Sequence, residues 1–189
     1  MLSSKTIVIS AAGSGSRLGF GHTKALLKIA GKPIIIHHLE QLKRFDDVRI
    51  VVGYDAENII GTVLAYRKNV TFVFNHRYQT TNTLHSLYLG SRFARKYVVS
   101  IDGDLLVAPK DLQRFLKEKD ETMGLIKTYS DEPVCVFTKK KGKNVIKQLS
   151  LCVFLYEDSF LIFDDFSFLR LLHFIGALYL FGKNNMWKF

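Results

Sequence analysis

Short runs of β-branched and apolar residues alternate with stretches of helical spacing along the first part of the chain. Thr6 to Ile9, Arg49 to Val52, Thr71 to Phe74 and Tyr97 to Ile101 read as strands. Between them, the spacing predicts helices near Ile34 to Arg44, Ala56 to Lys68 and Thr83 to Arg95. This alternation of short β-rich runs with helical patterns is what a parallel sheet covered by helices requires. Each helix follows one strand and precedes the next, which predicts an α/β fold of doubly wound, Rossmann-like type: three layers, α/β/α, around a mostly parallel sheet. Pro33 suits a first helical turn, and Asn82 suits the cap of the helix that carries Leu84, Leu87 and Leu89.

From Glu121 onward the pattern becomes β-like, at Met123 to Lys127 and at Val134 to Phe137, and a hairpin there would edge the sheet. Lys139-Lys140-Lys141-Gly142-Lys143 reads as a solvated hairpin tip between Val134 to Phe137 and Val145-Ile146. Near Ser150 the texture shifts again. Residues 151–189 are dense in Phe and Leu and poor in basic residues, without clear spacing. The predicted organisation is therefore one domain over 1–150 and an atypical hydrophobic segment over 151–189, packed on that domain or aberrant. The apolar run Phe168 to Phe181 is interrupted by Arg170 and His173 and falls short of the roughly 20 residues that span a bilayer, so stable membrane insertion is not expected.

A chain of 189 residues supports a single domain with a sizeable core. Its net charge of +10 suits nucleic acid, an anionic membrane surface or phosphorylated small molecules equally well. The basic residues are scattered, which argues against a nucleic-acid face. Cys135 and Cys152 are too few for a disulfide framework and lack metal-ligand spacing. Met1 to Lys5 carries no apolar stretch of a signal peptide, and the cytoplasm is the expected compartment.

The chemistry is concentrated after the first strand. Ala11-Ala12-Gly13-Ser14-Gly15-Ser16-Arg17-Leu18-Gly19 supplies glycines whose backbone N–H groups can close on phosphate, while Arg17 and Lys24 add fixed positive charge. Such a loop suits a nucleoside triphosphate. A dinucleotide fingerprint would place a ribose-binding acid about 20 residues further on. Asp55 comes roughly twice as far, and that reading leaves the two cations unexplained. A Walker loop is excluded, because no Gly-Lys-Ser/Thr follows at its spacing.

Two more constellations stand at strand ends. Asp102-Gly103-Asp104 places two carboxylates where a buried strand meets a loop, and hard oxygen ligands there suit Mg²⁺. Asn75 to Ser86 is polar, and the amide and hydroxyl groups of Asn75, Thr80, Thr81 and Asn82 can satisfy the hydrogen-bonding edge of a base. Asn82 and Thr83 are equally suited to starting a helix. The histidines His22, His37, His38, His76, His85 and His173 show no metal-binding spacing, and they read as surface or packed residues.

Ala11-Ala12-Gly13-x-Gly15-x-Arg17 with Lys24-x-Leu26-Leu27, then Gly31-Lys32-Pro33-Ile34, resembles the nucleotidyltransferase superfamily. Its members include sugar-phosphate nucleotidyltransferases and bacterial phosphocholine cytidylyltransferases. The resemblance covers about residues 5–150 and implies the nucleotide-diphospho-sugar transferase type of fold. It implies that Ala11 to Arg17 wraps a triphosphate, that Arg17 stabilises the pyrophosphate leaving group and that Lys24 contacts the reacting phosphates. It also places the metal-binding acid at Asp104, with Asp102 as a water-mediated ligand.

Asn75-x-x-Tyr78-x-x-Thr81-Asn82 is similar to a segment of the phosphocholine cytidylyltransferase-like branch. The implied partners are an NTP, CTP or UTP with CTP favoured, and a small phosphorylated acceptor such as phosphocholine, a related phosphonate or a sugar phosphate. Beyond Ser150 the chain departs from the family. Asp158, Asp164 and Asp165 do not stand in the motif of its second metal-binding acid. One expectation is a frameshifted or truncated tail, and the alternative function is a degenerate nucleotide-binding protein without turnover.

Overall fold

A computed structural model of the chain describes residues 4–15, 22–119, 122–124, 134–138, 146–151 and 178–182. Met1–Leu125 together with Gly176–Phe189 forms one compact unit, and Ile126–Ile175 forms a second. In the first unit the chain runs through β1 (Lys5–Ser10), a 3₁₀ turn (Lys24–Leu26), β2 (Lys28–Ile29), β3 (Lys32–Pro33) and α1 (Ile34–Gln41). It continues through β4 (Val48–Val52), α2 (Ala56–Tyr66), β5 (Thr71–Phe74), α3 (Thr83–Ser91), β6 (Tyr97–Asp102), α4 (Pro109–Lys117) and β7 (Thr122–Gly124). The second unit holds β8 (Val134–Thr138) and β9 (Ile146–Leu151), and β10 (Leu178–Gly182) belongs to the first.

The main sheet has the order β5-β4-β1-β6-β10-β7. Its strands β5, β4, β1 and β6 are parallel, and β10 runs antiparallel to both β6 and β7. From β1 the chain first builds outward through β4 and β5, then returns to place β6 on the opposite side of β1. The order therefore reverses between β1 and β6, and in open α/β sheets ligands bind outside the carboxyl ends of the strands at such a switch.

Burial explains the layers. Ile7, Val8 and Ile9 are all inaccessible. Ile7 and Ile9 pack with Ile35, Leu39, Leu42, Ile59, Val63 and Leu112 of α1, α2 and α4 and the loop after α1. Val8 points the other way and packs with Val51, Val98 and Leu87 of α3. Successive side chains of a strand face opposite sides of its sheet, so a strand buried on both needs helices on both. Gly90 brings α3 close, since a Cβ there would stand 2.5 Å from Val8 Cγ1 and 2.9 Å from Val51 Cγ2.

All the predicted strands and helices of the α/β part are present, but all three helices stop short of their predicted ends, α2 at Tyr66 rather than near Lys68. α3 ends at Ser91 rather than near Arg95, Arg92 leaving the helix with an extended ψ of 132° and Phe93 following at a left-handed φ of 56°. The Arg49 guanidinium then donates to the freed carbonyls of Gly90 and Arg92, at 3.1 and 2.6 Å. α1 ends at Gln41 rather than near Arg44, and Arg67 donates to the carbonyls of Leu42 and Phe45 beyond it. Pro33 closes β3 and directly precedes α1. Ala30 and Gly31, at φ of 49° and 77°, make the two-residue turn between β2 and β3, with the positive φ at both positions that such a hairpin turn requires.

The helix α4 was not anticipated. Its signals are Pro109 in the first turn, Asp111 behind it, and the buried Leu112, Phe115 and Leu116 at helical spacing. The hairpin expected between Val134 to Phe137 and Val145-Ile146 forms, but it does not edge the main sheet. β7 pairs with β10, Met123 standing opposite Tyr179, whereas β8 pairs antiparallel with β9 in a separate two-stranded sheet. The predicted tip at Lys139 to Lys143 falls between β8 and β9 but lies outside the described residues, as does most of the segment expected to begin at 151.

Lys5, at the start of β1, is buried, and its Nζ donates to the carbonyl oxygens of Leu116 and Glu118 at 2.7 and 2.6 Å. Burial lowers its pKa, which the Glu118 charge opposes. One ammonium thus closes the C-terminal end of α4, where cations are favoured. Lys5→Met keeps the buried stem and removes the donor. It is expected to destabilise the fold by about 1–3 kcal/mol, the usual effect of orphaning acceptors beside a charged partner, read as a lower urea midpoint.

Candidate functional site

At the switch between β1 and β6, two loops are held nearly in contact. The register pairs Ser10 with Asp102, the last residues of the two strands. One residue on, the Gly103 amide donates to the Ser10 carbonyl at 2.8 Å. A Cβ at Gly103 would stand 2.7 Å from that oxygen, so only glycine fits without movement. Glycine here draws the acid-bearing loop against the glycine-rich one.

That glycine-rich loop is anchored from its other side by β4. Ala11 donates to Val51, and Tyr54 donates to the Ala12 carbonyl at 3.0 Å. Gly53 allows this approach, because a Cβ there would stand 2.8 Å from the Tyr78 Cβ and 3.0 Å from Ala12. Ala11 and Ala12 are consequently buried, while Gly13 and Ser14 are exposed. Gly15 turns the chain with φ of 62°, and a Cβ there would stand 3.2 Å from Lys24 Cγ. Ser16 and Arg17 lie outside the described residues.

Lys24 is brought back to this loop by Asp55. The Asp55 carboxylate accepts from the Thr23 amide at 3.4 Å and from Asn58, and it stands 3.3 Å from His22 Nδ1. Asp55 follows β4, where a dinucleotide fold would keep its ribose acid, but this carboxylate is committed to the returning loop. Ala25 is buried in the 3₁₀ turn, which leaves the Lys24 side chain outward. Its Nζ lies 3.1 Å from Asp104 Oδ2, joining residues 80 positions apart. The two side chains keep 35% and 41% of their exposure, so both are open to an approaching ligand.

The carboxylates of Asp102 and Asp104 leave the end of β6 one residue apart. Among the described residues no three His, Cys, Asp or Glu side chains gather into a metal site. Mg²⁺ does not require such a cage, since it is commonly held by one or two carboxylates, waters and substrate phosphates. An accessible hard-oxygen ligand beside a phosphate-type loop fits a cation carried in with a triphosphate.

The predicted base-reading segment is folded largely on itself. Asn75 is buried, its Nδ2 donating to Thr81 Oγ1 and Ser86 Oγ at 3.0 and 3.1 Å, and its Oδ1 accepting from the Arg77 amide. Thr81 Oγ1 donates to the Arg77 carbonyl at 2.7 Å, and the exposed Thr80 hydroxyl reaches the same oxygen at 3.3 Å. Asn82 caps α3 by accepting from the His85 amide at 3.1 Å, as its position before the helix suggested. Asn75 therefore organises the turn instead of presenting its amide outward. Tyr78, unassigned from sequence, stands beside Gly53 and tilts against Tyr54, with ring centroids 6.2 Å apart.

Sequence reading also placed His38 among ordinary packed histidines. It is wholly buried, and burial, with the His37 charge adding, lowers its pKa from 6.5 to about 4, against opposing effects of Asp104 and the Leu105 backbone. Its folded pKa lies below its unfolded one, so the folded state resists protonation. The neutral ring's contribution is complete above about pH 6.5 and is lost as pH falls through about 4, at a slope of up to about 1.4 kcal/mol per pH unit. Thermal unfolding is expected to show that acid-side loss, and His38→Leu to flatten it.

The model of the MobA-like NTP transferase domain family matches residues 7–152. Among curated relatives, the choline-phosphate cytidylyltransferase of Streptococcus pneumoniae is 36% identical over 104 residues, 52% of this chain and 44% of that protein. The CMP-5'-(3-aminopropyl)phosphonate synthase of Streptomyces rubellomurinus is 36% identical over 115 residues, 57% of this chain and 18% of that protein. The chain thus spans less than half the length of either. The inositol-1-phosphate CTP transferase of T. maritima has the same fold, with a TM-score of 0.68 at 14% identity, covering 98% of this chain and 73% of that one.

Proposed function

The chain belongs to the MobA-like NTP transferase family, and from that premise we propose that it transfers a nucleoside monophosphate, CMP in preference, from an NTP to a small phosphorylated acceptor. The carrying observation is the meeting of Lys24 and Asp104 at 3.1 Å beside Gly13 to Gly15, at the switch point of the sheet. An acceptor phosphate oxygen attacks the α-phosphorus in line, forming one P–O bond as the bond to pyrophosphate breaks. The chain's task is placement and charge neutralisation. The exposed loop backbone binds the triphosphate, Lys24 contacts the reacting phosphates and Arg17 stabilises the departing pyrophosphate. Asp104, with Asp102 behind a water, would hold Mg²⁺. When bound, Mg²⁺ neutralises phosphate charge.

The preference for CTP and for phosphocholine or a related phosphonate rests on the similarity to the two cytidylyl-handling relatives and on the Asn75 to Asn82 segment. Thr80 is the exposed hydroxyl of that segment, and the neighbouring backbone and the Tyr54–Tyr78 pair are candidates for the nucleoside's surroundings. No helix among the described residues is long and apolar enough to cross a membrane. An NTP-dependent reaction is placed in the cytoplasm.

A second reading is favoured by one observation, that Asp158, Asp164 and Asp165 do not stand in the motif of the family's second metal-binding acid. On that reading the pocket binds nucleotide without turnover. Calorimetric titration of CTP, UTP and GTP with Mg²⁺ separates binding from chemistry when paired with pyrophosphate release in the presence of phosphocholine or sugar phosphates. Transfer predicts both signals, and binding without release selects the second reading.

A further inference from the structure

In a parallel sheet the connections that lead from a helix into a strand lie at the amino ends of the strands, away from the glycine-rich loop and the acids that follow β1 and β6. Here those connections are bonded to one another. The Arg95 guanidinium, before β6, donates to the Asp46 carboxylate, before β4, at 2.8 and 2.9 Å, and the Arg95 amide donates to Thr6 of β1 at 3.0 Å. Arg67, before β5, donates to the carbonyls of Leu42 and Phe45, and Lys5 donates to those of Leu116 and Glu118 at the end of α4.

Basic residues that are scattered in the sequence are thereby gathered at one end. Lys5 with residues 42–49, 67–70, 92–96 and 117–119 supplies eleven Lys or Arg side chains against three Asp or Glu, most of the net charge of +10. Folding uses part of that charge. Lys5, Arg49 and Arg67 close helix ends, where cations are favoured, and Asp46 and Asp47 pair with Arg95 and Arg49. Lys43, Arg44, Lys68, Arg92, Lys96 and Lys117 remain exposed, and Glu118 is the acid left to oppose them.

The same end carries an aromatic side chain outside the core. Phe93, in the turn between α3 and β6, is 85% exposed, and the Arg92 guanidinium lies 5.5 Å from its ring centroid. Tyr66, the last residue of α2, is also exposed at this end. A bare ring among cations suits a surface that offers anionic headgroups with an apolar layer beneath them. Nucleic acid offers the charge without that layer, and a single strand is held along a groove where successive bases stack. We propose that the amino-end face of the sheet docks the protein on an anionic bilayer surface, with Phe93 entering the headgroup boundary and the cations facing lipid phosphates and carboxylates. Docked in this way, the glycine-rich loop and Lys24, at the other ends of the strands, stay open to dissolved ligands. This docking does not depend on the transfer chemistry proposed above.

Co-sedimentation of the full chain with phosphatidylserine–phosphatidylcholine vesicles, without nucleotide, tests the proposal. Binding is expected to these vesicles and not to phosphatidylcholine alone, and to weaken as salt is raised. Phe93→Ser is expected to weaken it about tenfold, through the lost burial of one ring. Lys68→Glu with Lys96→Glu is expected to weaken it more than tenfold, since each cation near such a surface contributes a factor of about five. Lys28→Glu with Lys110→Glu makes the same change of charge at exposed positions on the other side of the sheet, and screening should leave binding near wild type. All these side chains are exposed, and unchanged Tm values confirm that the variants fold.

Failure of wild type to bind the phosphatidylserine vesicles would overturn the proposal. Equal losses in the two double variants would do so too, as the mark of net charge acting without a face. Full binding by Phe93→Ser would remove the ring's role and with it the bilayer, and tighter capture of a mixed-sequence single-stranded RNA than of vesicles would assign the face to nucleic acid instead.

Discussion

Lys24→Ala is expected to lower nucleotidyl transfer by about a hundredfold or more while leaving thermal stability nearly unchanged. The rate effect follows from position. Lys24 reaches over the end of the glycine-rich loop, and a charge fixed there meets phosphates whose negative charge is redistributed in the transition state. Its ion pair with Asp104 is part-exposed, and such pairs contribute about 0–1 kcal/mol to folding. The same reasoning makes Asp104→Ala comparably damaging to rate and equally mild for the fold. Purified variants assayed for pyrophosphate release, with Tm measured in parallel, check both. Wild-type release by either variant would remove the assigned roles.

The second large effect is expected at Gly103→Ala. Its new Cβ would be 2.7 Å from the Ser10 carbonyl oxygen, closer than such a contact allows, and a tight 3.2 Å from the Ala11 Cβ. The Ser10 carbonyl is the acceptor of the Gly103 amide, so relief of the clash breaks the bond that joins the two loops. Forced overpacking of this kind costs about 1–3 kcal/mol, and the displacement falls directly on Asp104. Lower stability is therefore expected to accompany at least a tenfold loss of Mg²⁺-dependent CTP affinity, since a misplaced ligand weakens a metal site by about that much. Calorimetry and urea unfolding measure the two separately. A variant matching wild type in both would show that the loops move apart at little cost.

The parallel sheet was legible in the sequence because its strands are short runs rich in β-branched and aromatic residues and its helices carry their own period. Asn82 showed its capping role for the same local reason, a short polar side chain ahead of a helical run. What sequence order hides is reach. Lys5 closing a helix beyond residue 116, Asp55 tethering Thr23, and Lys24 meeting Asp104 all depend on where the topology returns the chain.

Asn75 illustrates a different limit. A polar residue after a strand can face a ligand or fold inward, and only the positions of Thr81 and Ser86 make the inward choice favourable. The helix α4 does carry its own local signals, Pro109 in the first turn and the spacing of Leu112, Phe115 and Leu116. β10 is different in kind. Nothing in Leu178 to Gly182 alone specifies that it enters antiparallel beside β6, a pairing set by the partner strand.

Pyrophosphate release from CTP, UTP and GTP, each crossed with phosphocholine and sugar phosphates in Mg²⁺, is the most direct test of nucleotidyl transfer by this chain. Release is predicted to be greatest with CTP and a small phosphorylated acceptor, to match the CMP adduct one for one, and to be lost in Lys24→Ala. A wild-type chain that binds CTP with Mg²⁺ yet releases pyrophosphate with none of the acceptors would contradict it.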